Sequence, residues 1–144
     1  MRVLYLFGPN LGALGARDPE RYGTDTLDEV MDGVVRTAKE LDHFVAWRQS
    51  DSEGDLVGLL LGARGERFEA AVLNPGALAH YSYALRDAIE ASGLPVVEVH
   101  QTNIYARESF RQHSVISAAC AATISGAGVG GYHLALEALP WITR

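Results

Sequence analysis

The feature that most constrains this chain is an alternation. Five short apolar runs rich in β-branched and aromatic residues, Arg2–Phe7, Phe44–Arg48, Ala70–Leu73, Pro95–Val99 and Ala121–Ser125, are separated by stretches of helical periodicity. The helical stretches are Leu27–Leu41, Asp55–Ala63, Tyr81–Ser92 and Gly130–Leu139. Thr26 with Glu29 three positions later makes a capping box ahead of the first of them, and Gly93-Leu94-Pro95 stops the third and starts the next strand. Strands that alternate with helices of this length pair in parallel through right-handed crossovers, with helices on both faces of the sheet. The expected fold is therefore α/β, a flavodoxin-like doubly wound sheet of five parallel strands, and residues 1–144 form one domain. In such a sheet ligands sit beyond the carboxyl ends of the strands, so the residues that follow each strand are the candidates for function.

Charge and composition remove several classes. A net charge of -6 opposes a nucleic-acid surface. No apolar run approaches the roughly 20 residues that span a bilayer. No basic segment followed by an apolar one resembles a signal peptide, and the one cysteine, Cys120, allows no internal disulfide. A cytoplasmic protein with no membrane partner is expected.

Two motifs mislead. Gly126-Ala127-Gly128-Val129-Gly130-Gly131 matches the dinucleotide fingerprint GxGxxG, but residues 132–144 leave no room for the further strand and acidic residue that such a site needs. Close packing at a last strand-to-helix turn explains it better. Flavin binding, suggested by the fold alone, needs hydroxyls and a helix N-terminus around a phosphate; GPNLGALGARDP offers no Ser or Thr and delays its helix.

The strand ends carry the chemistry. After the first strand, residues 8–25 form a glycine-studded loop holding Asn10, Arg17, Arg21 and Tyr22, which reads as a lid. The third strand ends in Asn74-Pro75-Gly76, followed by His80. Glu98 and His100, two apart on the fourth strand, share a face, and Gln101, Thr102, Arg107, Arg111 and His113 follow. Glu98, His100 and His80 could be imagined around a metal, but their spacing fits no zinc or calcium pattern. A carboxylate orienting an imidazole for acid–base work suits the pair better.

Four blocks, GPNLGALGARDPERYG, NPGALAHYSYALRDA, EVHQTNIYARESFRQHS and GYHLALEAL, resemble the type II 3-dehydroquinate dehydratases in register along nearly the whole chain. The resemblance implies a lyase of the shikimate pathway that removes water from 3-dehydroquinate without metal or organic cofactor. It implies Tyr22 as the base at C2, Arg17 as its support, Asn10 holding a water against the enolate, and His100 as the acid steadied by Glu98. It further implies Asn74, His80 and Arg111 on substrate hydroxyls, the backbone at Gln101 and Thr102 on the carboxylate, and Asp87 reaching a neighbouring subunit's site in a dodecamer built from trimers. The chain departs from the family's usual pattern at Phe7, Gly12, Ala79, Tyr81, Thr102, Tyr105 and Val115.

The residues bear on mechanism without the family. An imine route needs a lysine, and Lys39, the only one, sits in a helix between Arg36 and Glu40. What remains is an enolate formed by a tyrosinate: one guanidinium about 5 Å away at an effective dielectric near 20 stabilises a phenolate by roughly 3 kcal/mol. The loop then opens to admit a polar substrate and closes to bring Arg17 to Tyr22 and exclude water. The alternative from another class is a non-catalytic flavodoxin-like protein that binds a polyhydroxy acid; turnover separates the two.

Overall fold

A computed structural model describes residues 1–144. Its five strands are β1 Arg2–Phe7, β2 Phe44–Gln49, β3 Ala70–Asn74, β4 Val96–His100 and β5 Ala122–Ser125. They form one sheet in the order β2-β1-β3-β4-β5, and all four pairings are parallel. The helices are α1 Pro19–Tyr22, α2 Leu27–Glu40, α3 Glu53–Gly62, α4 Tyr83–Ser92 and α5 Gly130–Ile142. This is the flavodoxin-like arrangement expected from the alternation.

Side-chain alternation sorts the sheet into two cores. Val3, Tyr5 and Phe7 of β1, with Val97 and Val99 of β4, pack against α2 and α5. Leu4 and Leu6 of β1, with Val96 of β4, pack against α3 and α4. Because side-chain direction repeats every two residues, Glu98 and His100 lie on the α3/α4 side with Val96. Beyond α4 that side of β4 has no helix to cover it. The β4–β5 connection instead makes three short 3-10 turns, Ile104–Ala106, Ser109–Arg111 and Ser117–Ala119.

Local boundaries follow from capping. The Thr26–Glu29 capping box is present at α2. Ser82 caps α4 by accepting from the Leu85 N–H at 3.0 Å, so Tyr81, read from periodicity as helical, lies outside the helix. Ser52 likewise caps α3, which starts two residues earlier than its periodicity suggests. Helix α5 continues past Pro140 to Ile142; in a last turn the missing proline N–H removes only one bond. The loop of residues 8–25 contains a helical turn that periodicity does not predict, α1, with Pro19 at its first position.

Two glycines are required by close approach. A Cβ on Gly8 would lie 2.5 Å from the Pro75 carbonyl oxygen, where the chain leaves the paired ends of β1 and β3. A Cβ on Gly131 would lie 3.1 Å from Val99, so this glycine of the misleading fingerprint lets α5 approach β4. Phe7 is fully buried, with its ring edge-on to Tyr132 and Trp47 at 5.2 and 6.3 Å. The departure from the family pattern at that position therefore falls in the core and not at the strand-end cleft.

Candidate active site

A single cavity opens at the carboxyl ends of β1, β3 and β4, the switch point where connections leave the sheet for opposite faces. Asn10, Arg17 and Tyr22 enter it from the first loop, Asn74 and His80 from the end of β3, and His100, Gln101, Thr102 and Arg111 from the end of β4 and beyond. Nine of the eleven sequence-selected residues thus meet in one place. Glu98 stands behind His100, wholly buried. Asp87 is exposed on α4 and does not line this cavity.

The β4 end is tightly constrained. The His100 Nε2 faces Glu98 Oε1 at 2.7 Å, which leaves Nδ1 for the cavity. Ser114 donates to the same carboxylate oxygen at 2.6 Å, and Ser117 donates to the other, joined at longer range, 3.5 Å, by Thr123. Burial alone would raise the Glu98 pKa, but the bonds from His100, Ser114 and Ser117 outweigh it and hold the carboxyl below its usual range. His80 stacks on His100 with ring centroids 6.4 Å apart. Its Nδ1–H donates to the His113 carbonyl at 2.8 Å, so Nε2 is the nitrogen left to accept or donate elsewhere.

Asn74 is oriented from both sides. Its Oδ1 accepts from the Gly76 N–H at 3.1 Å, and its Nδ2 donates to the Tyr132 hydroxyl at 2.8 Å. One amide hydrogen remains. Burial pushes the Tyr132 phenol up, so it stays protonated against the amide.

The side formed by residues 8–25 is built differently. Leu11 and Leu14 anchor the loop in the core below α2, and Asn10, in a left-handed conformation at φ 70°, donates its N–H to Asp51 at 2.9 Å. The Arg17 guanidinium lies 5.2 Å from the Tyr22 ring centroid. The Tyr22 hydroxyl, however, is met by Arg107, whose Nη1 donates to it at 3.2 Å and to the Thr102 hydroxyl at 3.2 Å. Arg107 and Arg111 both reach Glu108, at 3.7 and 2.9 Å. The Glu108 carboxyl is held below its usual range by its own backbone N–H first, and then by these guanidiniums.

Comparisons with known proteins place the chain in a family. Residues 1–140 match the model of the family described as dehydroquinase class II. The chain belongs to that family. It is similar to the 3-dehydroquinate dehydratase of Pelotomaculum thermopropionicum, 51% identical over 138 residues that cover 96% of this chain and 95% of the relative. The enzyme of the same name from Thermus thermophilus is 54% identical over 134 residues, 93% of this chain and 90% of that one. Among solved structures, the type II dehydroquinase of Propionibacterium acnes superimposes with a TM-score of 0.93 at 44% identity, covering 99% of this chain and 97% of that chain.

Local pattern assigns no role to three residues at this site, Arg107, Ser114 and Ser117. Arg107 follows β4, yet nothing in its local pattern says that it turns to a tyrosine 85 residues away. Ser114 and Ser117 carry only a three-residue spacing in a segment without periodicity.

Proposed function

We propose that this protein removes water from 3-dehydroquinate to give 3-dehydroshikimate through an enolate, with Tyr22 as base and His100 as acid, as a lyase of the shikimate pathway. The observation that carries the proposal is the convergence of two differently equipped proton-transfer groups on one cavity: a tyrosine hydroxyl held by a guanidinium, and an imidazole backed by a buried carboxylate.

The Tyr22 phenolate takes the proton from C2, and the electrons of that C–H bond form the enolate, with charge on the C3 oxygen. A water held by Asn10 stabilises that charge. The enolate then reforms the C3 carbonyl and its electrons make the C1–C2 double bond. The C1–O bond breaks as His100 gives its Nδ1 proton to the departing hydroxyl, which leaves as water. Passing the Tyr22 proton back to His100 resets both groups. Arg107, with an 11% exposed side chain on the Tyr22 hydroxyl, supports the phenolate more directly than Arg17, which is exposed and reaches the ring face.

Asn74, through its remaining N–H, His80 and Arg111 grip substrate hydroxyls, and the backbone at Gln101 and Thr102 holds the carboxylate. Residues 8–25 act as the lid over this site. Asp87, exposed and outside its own chain's cavity, serves a neighbouring subunit in a trimer-based dodecamer. The chemistry needs neither metal nor Schiff base: Lys39 is exposed on α2 and absent from the cavity lining.

The test is direct. Addition of 3-dehydroquinate to the purified protein should raise near-ultraviolet absorbance as the conjugated enone forms, and borohydride added with substrate should leave that rate unchanged. No absorbance rise would defeat the assignment, and inactivation with added mass on Lys39 would replace the enolate by an imine.

A further inference from the structure

Glu98 has no exposure to solvent and sits in the middle of a strand, where an unpaired carboxylate would be strongly disfavoured. Both of its oxygens are taken by donors from separate parts of the chain. Oε1 receives His100 Nε2 and the Ser114 hydroxyl, and Oε2 receives the hydroxyls of Ser117 and Thr123. Ser114 lies in the loop before a 3-10 turn, Ser117 begins that turn, and Thr123 stands beside Glu98 on β5. A neutral carboxylic acid must donate one O–H, whereas an ionised carboxylate only accepts. Four donors around two oxygens match the ion.

We propose that Ser114 and Ser117, with Thr123 in a lesser part, are positioning residues that hold Glu98 as a carboxylate and so keep the shared proton on the His100 imidazole. This rests on the reading of His100 as the acid. With Glu98 ionised, a protonated His100 keeps Nε2–H on Glu98 and presents Nδ1–H to the leaving hydroxyl. If the hydroxyls are removed, the Nε2 proton moves toward Glu98. The ring that then faces the substrate is a neutral imidazole, a far weaker acid than imidazolium. The hydroxyls therefore act through Glu98 on the second proton transfer and not on the first.

The other titratable groups around this carboxylate do not compete for the role. The Cys120 thiol is pushed up to about 12, by burial first and by the Glu98 charge second, so it stays uncharged. His80, stacked on His100, has its Nδ1 committed to the His113 carbonyl. The depression of the Glu98 carboxyl against its own burial accords with the same arrangement.

The experiment uses Ser114→Ala, Ser117→Ala and Thr123→Val in protein carrying 13C-labelled glutamate, with three readouts. These are product formation from 3-dehydroquinate, loss of its C2 proton to deuterated solvent, and the pH at which the Glu98 carboxyl resonance titrates. Each serine variant should lower product formation roughly ten- to a hundredfold while C2 exchange stays within about twofold. The Glu98 carboxyl should titrate at higher pH in both, Thr123→Val should do least, and Ser117→Thr should recover most of the loss. Equal losses of exchange and product, or an unmoved Glu98 titration in folded variants, would overturn the proposal. Should either alanine variant fail to fold, the corresponding Ser114→Cys or Ser117→Cys, which keeps the side chain's size but replaces the hydroxyl by a weak donor, decides it in the same way. Wild-type protein that forms no product would defeat the functional reading alone, since the Glu98 titrations would still judge the hydroxyls.

Discussion

His100 ends β4 at 7% exposure, its ring backed by a wholly buried Glu98 and stacked on His80. Tyr22 ends a four-residue helix inside the loop of residues 8–25, half-exposed, with arginines approaching from two separate loops. One of the two groups proposed to transfer protons is fixed by the sheet; the other is assembled where loops meet. The difference fits the order of events. In the proposed mechanism the loop that opens to admit substrate carries the base, while the acid, needed after the enolate exists, stands where the backbone does not have to move.

The largest expected effects come from removing either group. Tyr22→Phe and His100→Ala should each lower kcat by roughly 10²–10⁴-fold, but with opposite signatures in deuterated solvent. Tyr22→Phe should abolish C2 exchange along with turnover, whereas His100→Ala should retain exchange while product formation collapses. Wild-type exchange in Tyr22→Phe would place the base elsewhere and remove the contrast between the two ends of the site.

A smaller effect tests how the lid end is held. Arg107→Ala should lower kcat roughly ten- to a hundredfold, because the direct bond to the Tyr22 hydroxyl is lost. Arg17→Ala should cost less, about tenfold or under, and its effect should shrink as salt rises, since an exposed charge acting across the ring face is screened. Equal, salt-independent losses in steady-state kinetics would mean that both arginines act on the hydroxyl.

The smallest effect is on stability and should belong to the sheet end alone. The folded Glu98 carboxyl is depressed below its ordinary 4.5, because the bonds from His100, Ser114 and Ser117 outweigh burial. A depressed carboxyl contributes stability that is complete above its unfolded value and is lost as pH falls through the folded one. Urea midpoints measured between about pH 6 and about pH 3 should therefore fall less in Glu98→Gln than in wild type, while Tyr22→Phe follows wild type. A Glu98→Gln profile parallel to wild type would show that the carboxylate is not coupled to folding in this way.

Local pattern carried the fold a long way. Strand positions came within a residue or two because β-branched runs and turn residues are properties of neighbours in the chain. The shared face of Glu98 and His100 needed only a period of two. The capping box at Thr26 needed three positions. The boundaries that shifted, at Tyr81, Glu53 and Ile142, did so where a cap or a tolerated proline outweighed periodicity.

Other features depended on closure of the chain in space. Arg107 reaches Tyr22 across 85 residues, Tyr132 meets Asn74 across 58, and Ser117 meets Glu98 across 19. The arginine and the serine come from the irregular connection between β4 and β5, which folds as short 3-10 turns with no repeating apolar signal. Short-range spacing in the amino-acid sequence determined which face Glu98 and His100 share. Only the tertiary structure decided which hydroxyls and which arginine complete the site, because those partners are selected by how loops pack over the sheet edge and not by the residues beside them in the chain.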